Sequence, residues 1–80
     1  MSGRVIAITG GHGELGRAVV SAALTQGWRV AIIDHATGQT APAGTLELGG
    51  VDLTDPAAAA AAIAAVVETF GQLDDLLNIA

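Results

Sequence analysis

Apolar positions along this chain fall into two kinds of run. Val5-Ile6-Ala7-Ile8 and Val30-Ala31-Ile32-Ile33 are continuous, whereas the stretches after Glu14 and Pro56 repeat at three- and four-residue spacing. A short continuous run suits a strand buried on both faces, as in a parallel sheet covered by helices on each side. The first strand is predicted over residues 4 to 9. The helix that follows is expected from Glu14 to Thr25, with Leu15, Ala18, Val19, Ala22 and Ala23 toward the sheet and Gly27 as its stop.

Trp28 to Asp34 is the second predicted strand. His35 to Gly44 holds two glycines and a proline without apolar periodicity, so it is expected to cross to the next strand as loop. A weaker strand is predicted over Thr45 to Val51. Thr54 or Asp55 then caps a helix with Pro56 in its first turn, running to Phe70 and stopping at Gly71. Its stripe is Ile63, Val66, Val67 and Phe70. A last strand starts at about Asp75, after an Asp74-Asp75 pair read as a solvated turn. Right-handed crossovers place that strand beside the first. The predicted fold is α/β: a Rossmann-like parallel sheet of order 3-2-1-4, helices on both faces, in one domain spanning residues 1–80.

Between the first strand and first helix lies Thr9-Gly10-Gly11-His12-Gly13-Glu14-Leu15-Gly16. A strand, a glycine turn and a helix in that order bring backbone N–H groups and the positive end of a helix dipole to one point, which suits a phosphate. Gly10 and Gly11 permit the sharp turn, Gly13 permits close approach of a pyrophosphate, and Gly16 permits close packing of helix on strand. Glycine turns that bind nothing are common. The second strand, however, closes with Asp34 about 20 residues on, where a carboxylate accepts both hydroxyls of a ribose and repels a 2′-phosphate. Together these predict dinucleotide binding, with NAD favoured over NADP. The competing reading of Asp34 is a loop-capping acid, and Asp52 serves equally well as a cap or turn residue.

Composition narrows the partners. Of the 80 residues, 51% are apolar and the net charge is −5, with three basic residues against eight acidic ones. No basic cluster points to nucleic acid or an anionic membrane, and the apolar stretch from Ala57 to Val67 is too short to span a bilayer. A soluble, cytoplasmic protein is expected. Cysteine is absent and the two histidines lie in separate loops, so no metal site is expected. His12 and His35 are both expected to be exposed. Glu14 is expected to face water in the first helical turn, and Arg17 to be solvated.

Thr9-Gly10 with Gly13 and Gly16, Asp34 closing the second strand, Val51-Asp52-Leu53-Thr54, and Phe70-Gly71-Gln72-Leu73-Asp74 leading to Leu77-Asn78-Ile79-Ala80 resemble the N-terminal part of the short-chain dehydrogenase/reductase family. The glycine run is similar to that of dihydropteridine reductase and of extended or atypical members, because Glu14 stands where the commonest pattern has glycine. The resemblance implies a pyrophosphate loop at Gly10, Gly13 and Gly16 and a ribose contact at Asp34, and Gly11, His12, Glu14 and Leu15 of the same run are expected at the cofactor with them. It implies that Asp52 and Leu53 flank the adenine, and that Asn78 with Ala80 supports the central sheet beside the cofactor. Ile79 departs from the family's second Asn.

Family members carry further on an Asn, a Ser and a Tyr-x-x-x-Lys pair that perform hydride transfer between a nicotinamide and a carbonyl or alcohol. This chain has no tyrosine and no lysine. The expectation is therefore a cofactor-binding part of such an oxidoreductase, without turnover of its own. Alternatives are a stand-alone or engineered dinucleotide-binding module, or an S-adenosylmethionine-binding Rossmann fragment. Val51, Leu76, Leu77 and Ile79 are expected to form an apolar border at the fourth strand, predicting self-association or a homo-oligomer through that edge.

Overall fold

The computed structural model describes residues 3–79. Four strands form one parallel sheet: β1 (Val5–Thr9), β2 (Arg29–Ile33), β3 (Leu46–Leu48) and β4 (Asp75–Asn78), in the order β3-β2-β1-β4. Ala7 of β1 lies opposite Ala31 of β2 on one side and Leu76 of β4 on the other. The continuous apolar runs are explained by two cores. Val5, Ala7, Ala31 and Ile33 face α2 (Pro56–Phe70), while Ile6, Ile8, Val30 and Ile32 face α1 (Glu14–Thr25). The expected order and the helices on both faces are therefore present.

Both helices have the predicted bounds, but each is rotated from its predicted stripe. In α1, Gly16, Val20 and Ala23 are buried, Val19 is half-buried, and Leu15, Ala18 and Ala22 are exposed. Gly16 sets this rotation. A Cβ there would run into the Gly10 carbonyl oxygen and come within 2.7 Å of Gly11 Cα, so the helix brings its one bare position against the turn. Leu15, one residue earlier and about 100° around the axis, is left 66% exposed.

In α2 the buried pair is Ala62 and Val66, with Ile63 and Phe70 packed beside them, and Val67 is exposed. With Val66 centred on the sheet, residues four before and four after fall on its face and the next residue does not. Small alanines fit where helix and sheet approach closely. Asp55, not Thr54, caps α2, its carboxylate accepting from Ala57 N at 3.0 Å. Gly71 ends the helix at φ 81°, a left-handed conformation that favours glycine.

β2 and β3 are shorter than predicted. β3 keeps three of the seven expected residues because Gly49 and Gly50 turn the chain away, although Asp34 N still donates to Leu48 O and Val51 N to Asp34 O, both at 3.0 Å. The crossover between β2 and β3 contains no helix, as expected.

Asp74 and Asp75 form more than a solvated turn. Asp74 accepts from Val5 N at 2.7 Å and from Gln72 Nε2 at 2.8 Å, and its own N–H donates to Val5 O. Arg4 Nε donates to Asp75 at 2.6 Å. These bonds fasten the start of β4 to the start of β1, so acids that look like loop residues in sequence are strand anchors in space. The N–H of Val5, and after it Gln72, hold the Asp74 carboxyl below its ordinary range. Leu76 and Leu77 are exposed on β4, whereas Val51 and Ile79 are half-buried against the two cores.

Candidate functional site

The glycine turn leaves β1 at Thr9. Gly10 takes φ 69°, and its N–H donates to Ile33 O at 2.9 Å. Gly13 N donates to Gly10 O at 3.0 Å, closing the turn. Gly11 is buried, and a Cβ there would come within 2.7 Å of Ile32 Cγ2. Gly13 is the extended N-cap of α1, and no side chain caps that helix. The first ladder bond is Arg17 N to Gly13 O at 2.8 Å, so the N–H groups of Glu14, Leu15 and Gly16 have no partner within the helix. α2, with its Asp55 cap, is built differently. The open N-terminus of α1 is chemically suited to an anion. Glu14 and Leu15 are exposed beside it, and Gly16 is buried, shaping the turn from within.

Asp34 stands just past β2 and is half-buried. Its Oδ2 accepts from His12 N and its Oδ1 from Ala36 N, each at 3.0 Å. Burial pushes this carboxyl upward, but the N–H groups of Ala36 and His12, aided by the His12 ring and the His35 N–H, prevail and hold it below the ordinary range. Each carboxylate oxygen keeps further acceptor capacity. The loop-capping role and an exposed acceptor are therefore compatible in one residue.

Asp52 accepts from both the hydroxyl and the N–H of Thr54, at 2.6 and 2.9 Å, and that hydroxyl first and N–H second hold its carboxyl low. It is a turn residue, both bonds falling on its Oδ1. Asn78 Oδ1 accepts from Thr9 Oγ1 at 2.5 Å, and Ile79 N donates to that same hydroxyl at 3.0 Å. The end of β4 is thereby tied to the end of β1. Ala80 lies outside the described residues.

A groove of about 390 Å³ opens where these ends meet, lined by Gly10, Asp34, His35, Val51, Asp52, Leu53, Thr54 and Asn78. It sits at the carboxyl ends of the strands, between β1 and β4, where the strand order reverses direction; ligands of open parallel sheets bind at such a point. A larger groove of about 640 Å³ runs along α1 and holds Gly11, His12 and Arg17, but neither Asp34 nor Asn78. The smaller groove gathers the acceptors and the strand ends, and we take it as the site. Gly10, Asp34, Asp52, Leu53 and Asn78 are brought together there, while Gly13, Glu14 and Leu15 lie at the helix start.

His12 differs from expectation. Its side chain is 5% exposed, and Nε2 lies 2.9 Å from Oε2 of Glu47 on β3. A ring tucked against a strand acid replaces the exposed loop residue. His35 is exposed as expected, and Arg17 is exposed with its Nε donating to His12 O at 3.0 Å. Among the described residues no group of three or more His, Cys, Asp or Glu is placed to hold a metal. Sequence reasoning passed over Glu47, although a lone acid between Leu46 and Leu48 was a visible signal. The Thr9 hydroxyl was equally overlooked.

Comparison with known proteins agrees with this architecture. Two doubly substituted forms of a Serratia marcescens short-chain dehydrogenase/reductase superpose with TM-scores of 0.80 and 0.82, at 32% and 33% identity. The matches cover 95% and 96% of this chain but only 35% and 34% of those. The 2-(S)-hydroxypropyl-CoM dehydrogenase 3 of Xanthobacter autotrophicus is 38% identical over 98% of this chain, and the D-threitol dehydrogenase of Mycolicibacterium smegmatis is 37% identical over 100% of it. The chain spans 34% of the length of each of these curated relatives. A family model for short chain dehydrogenase matches residues 4–80. With the 3-2-1-4 sheet, the glycine turn and this match in agreement, the chain belongs to the short-chain dehydrogenase/reductase family.

Proposed function

We propose that residues 1–80 form the NAD-binding part of an oxidoreductase that transfers hydride between a nicotinamide and a carbonyl or alcohol. The family uses NAD(P), and both curated relatives are named dehydrogenases. One observation carries the preference for NAD. Asp34 is held low and in place by two backbone N–H donors at the rim of the groove that also meets the glycine turn. A carboxylate so placed accepts two ribose hydroxyls and repels a phosphate on either of them.

The uncapped start of α1 would take the pyrophosphate, and Leu53 with Val51 would supply apolar contact for the adenine. Asn78, held by Thr9, would border the nicotinamide side. A bound nicotinamide supplies the hydride chemistry. The residues here bind and orient it, since no tyrosine or lysine is present to move the proton. A soluble, cytoplasmic setting follows from the same reading, and among the described residues no helix is long and apolar enough to cross a membrane.

An NADH titration followed by energy transfer from Trp28, the sole tryptophan, tests the proposal. The reporter and Asp34 flank β2 at its two ends, at most about 20 Å apart. Saturable NADH binding is expected, weaker for NADPH and weaker by at least about tenfold in Asp34→Ala, which loses charge-assisted hydrogen bonds. Equal affinity for NADH and NADPH would overturn the NAD preference. No saturable binding by a folded sample would overturn the dinucleotide reading itself.

The exposed Leu76 and Leu77 on the edge strand β4 support self-association through that edge. Light scattering in the same preparation should show a dimer, and a monomer at high concentration would refute it.

A further inference from the structure

Glu47 has no part in the site as derived so far, yet its carboxylate bonds the one large side chain of the glycine turn. Leu46 and Leu48 pack toward α2, so Glu47 between them projects from the opposite face of the sheet, beside Ile32. Gly11 lies against that same Ile32. The Glu47 carboxylate, 27% exposed, reaches the buried His12 ring at 2.9 Å. Gly49 leaves room for it: a Cβ there would come within 3.0 Å of Glu47 Oε2 and 2.7 Å of Ala36 O.

Residue 12 is thus held at three points. Its N–H is held by Asp34, its carbonyl by Arg17 Nε and its ring by Glu47. The Asp34 bond joins the turn to the residue after β2 and the Arg17 bond joins it to α1. The Glu47 bond joins it to β3. The neighbours of His12 in sequence are Gly11 and Gly13, whose backbones have little conformational preference of their own. The grip on its one large side chain adds to the backbone bonds at Gly10 and Gly13 in ordering the turn.

We infer that Glu47 is a positioning residue for the dinucleotide site, acting through His12 to keep the glycine turn in the shape that receives the pyrophosphate. This rests on the dinucleotide reading above. Without the Glu47 bond, the turn has to be ordered when the cofactor binds, and affinity falls although no cofactor contact has been removed.

The test is NADH titration of the 80-residue chain carrying Glu47→Ala, Glu47→Gln, His12→Ala, and Glu47→Ala with His12→Ala, each first shown to be folded by circular dichroism. Glu47→Ala and His12→Ala are each expected to weaken NADH binding by about five- to tenfold, the worth of one part-buried hydrogen bond. The double variant should be no weaker than the worse single one, because both changes remove the same bond. Glu47→Gln should bind within about twofold of the unsubstituted chain, since its amide oxygen still accepts from the ring N–H.

Unchanged affinity in folded Glu47→Ala, beside normal binding by the unsubstituted chain, would overturn the inference and leave the dinucleotide reading standing. Glu47→Gln as weak as Glu47→Ala would overturn positioning by this hydrogen bond, as would fully additive losses in the double variant. Should Glu47→Ala not fold, unchanged affinity in His12→Ala overturns the inference equally. Absence of NADH binding by the folded, unsubstituted chain would overturn the dinucleotide reading and this inference with it.

Discussion

Substituting Gly16→Ala tests the packing of α1 on the glycine turn. The added Cβ would meet the Gly10 carbonyl oxygen and come within 2.7 and 2.9 Å of Gly11 Cα and Gly10 C. All three are backbone atoms, which cannot swing aside as a side-chain end would. Overpacking of a filled interior costs about 1–3 kcal/mol, and a backbone obstacle belongs at the upper end. Alanine regains about 1 kcal/mol over glycine by helix propensity. The net loss is therefore about 2 kcal/mol, a large share of the roughly 4–12 kcal/mol that stabilises a domain of this size. A loss of that size lowers Tm by about 8–16 °C.

Gly13→Ala is the control. Gly13 lies at φ −72° with only the Gly10 oxygen at 3.4 Å from its would-be Cβ, so its cost should stay below about 1 kcal/mol, the difference between glycine and alanine at an N-cap. Thermal and urea unfolding followed by circular dichroism would measure both. If Gly16→Ala proved as stable as Gly13→Ala, Gly16 would not set the rotation of α1, and the exposure of Leu15 would need another cause.

Two further outcomes are expected. Asp55→Ala removes the sole side-chain cap of α2 and should cost about 1 kcal/mol, lowering Tm by about 4–8 °C in the same scans, whereas Thr54→Ala should do less. Acid should destabilise the fold. Asp74 is held low chiefly by the Val5 N–H, Asp52 by Thr54, and in Asp34 the N–H donors outweigh burial. A carboxyl lower in the folded than in the unfolded chain contributes stability above its unfolded value of about 3.9, and that contribution is lost as pH falls through the folded value. Urea midpoints should therefore fall between about pH 5 and pH 2, and Asp74→Asn should flatten part of that slope. An unchanged slope in Asp74→Asn would show that its bond to β1 is not formed in solution.

Much of the fold was legible because strong local signals coincided with it. The runs at Val5 and Val30 are apolar throughout because both sheet faces are covered, and Pro56, Asp55 and Gly71 mark α2 at both ends by local backbone chemistry. The glycine spacing and Asp34 were equally visible, since each is a requirement on one stretch of backbone. Bonds between distant stretches were not. Asp74 to Val5, Asn78 to Thr9 and Glu47 to His12 join residues 69, 69 and 35 positions apart, and no local pattern marks a partner at such separations.

By itself, then, the order of residues determined the element types, the parallel sheet, its 3-2-1-4 order and the place of the glycine turn. These follow from periodicity, caps and the handedness of crossovers, all of which act over short lengths of chain. Only the tertiary structure decided the rotation of each helix, because that depends on which bare surface can approach a neighbour. It removed Leu15 from the face of α1, where Gly16 packs as its spacing predicts, and replaced Val67 with Ala62 in the face of α2. It also decided that His12 is a buried side chain gripped from β3, because only the register of Ile32 with Glu47 brings that acid behind the turn.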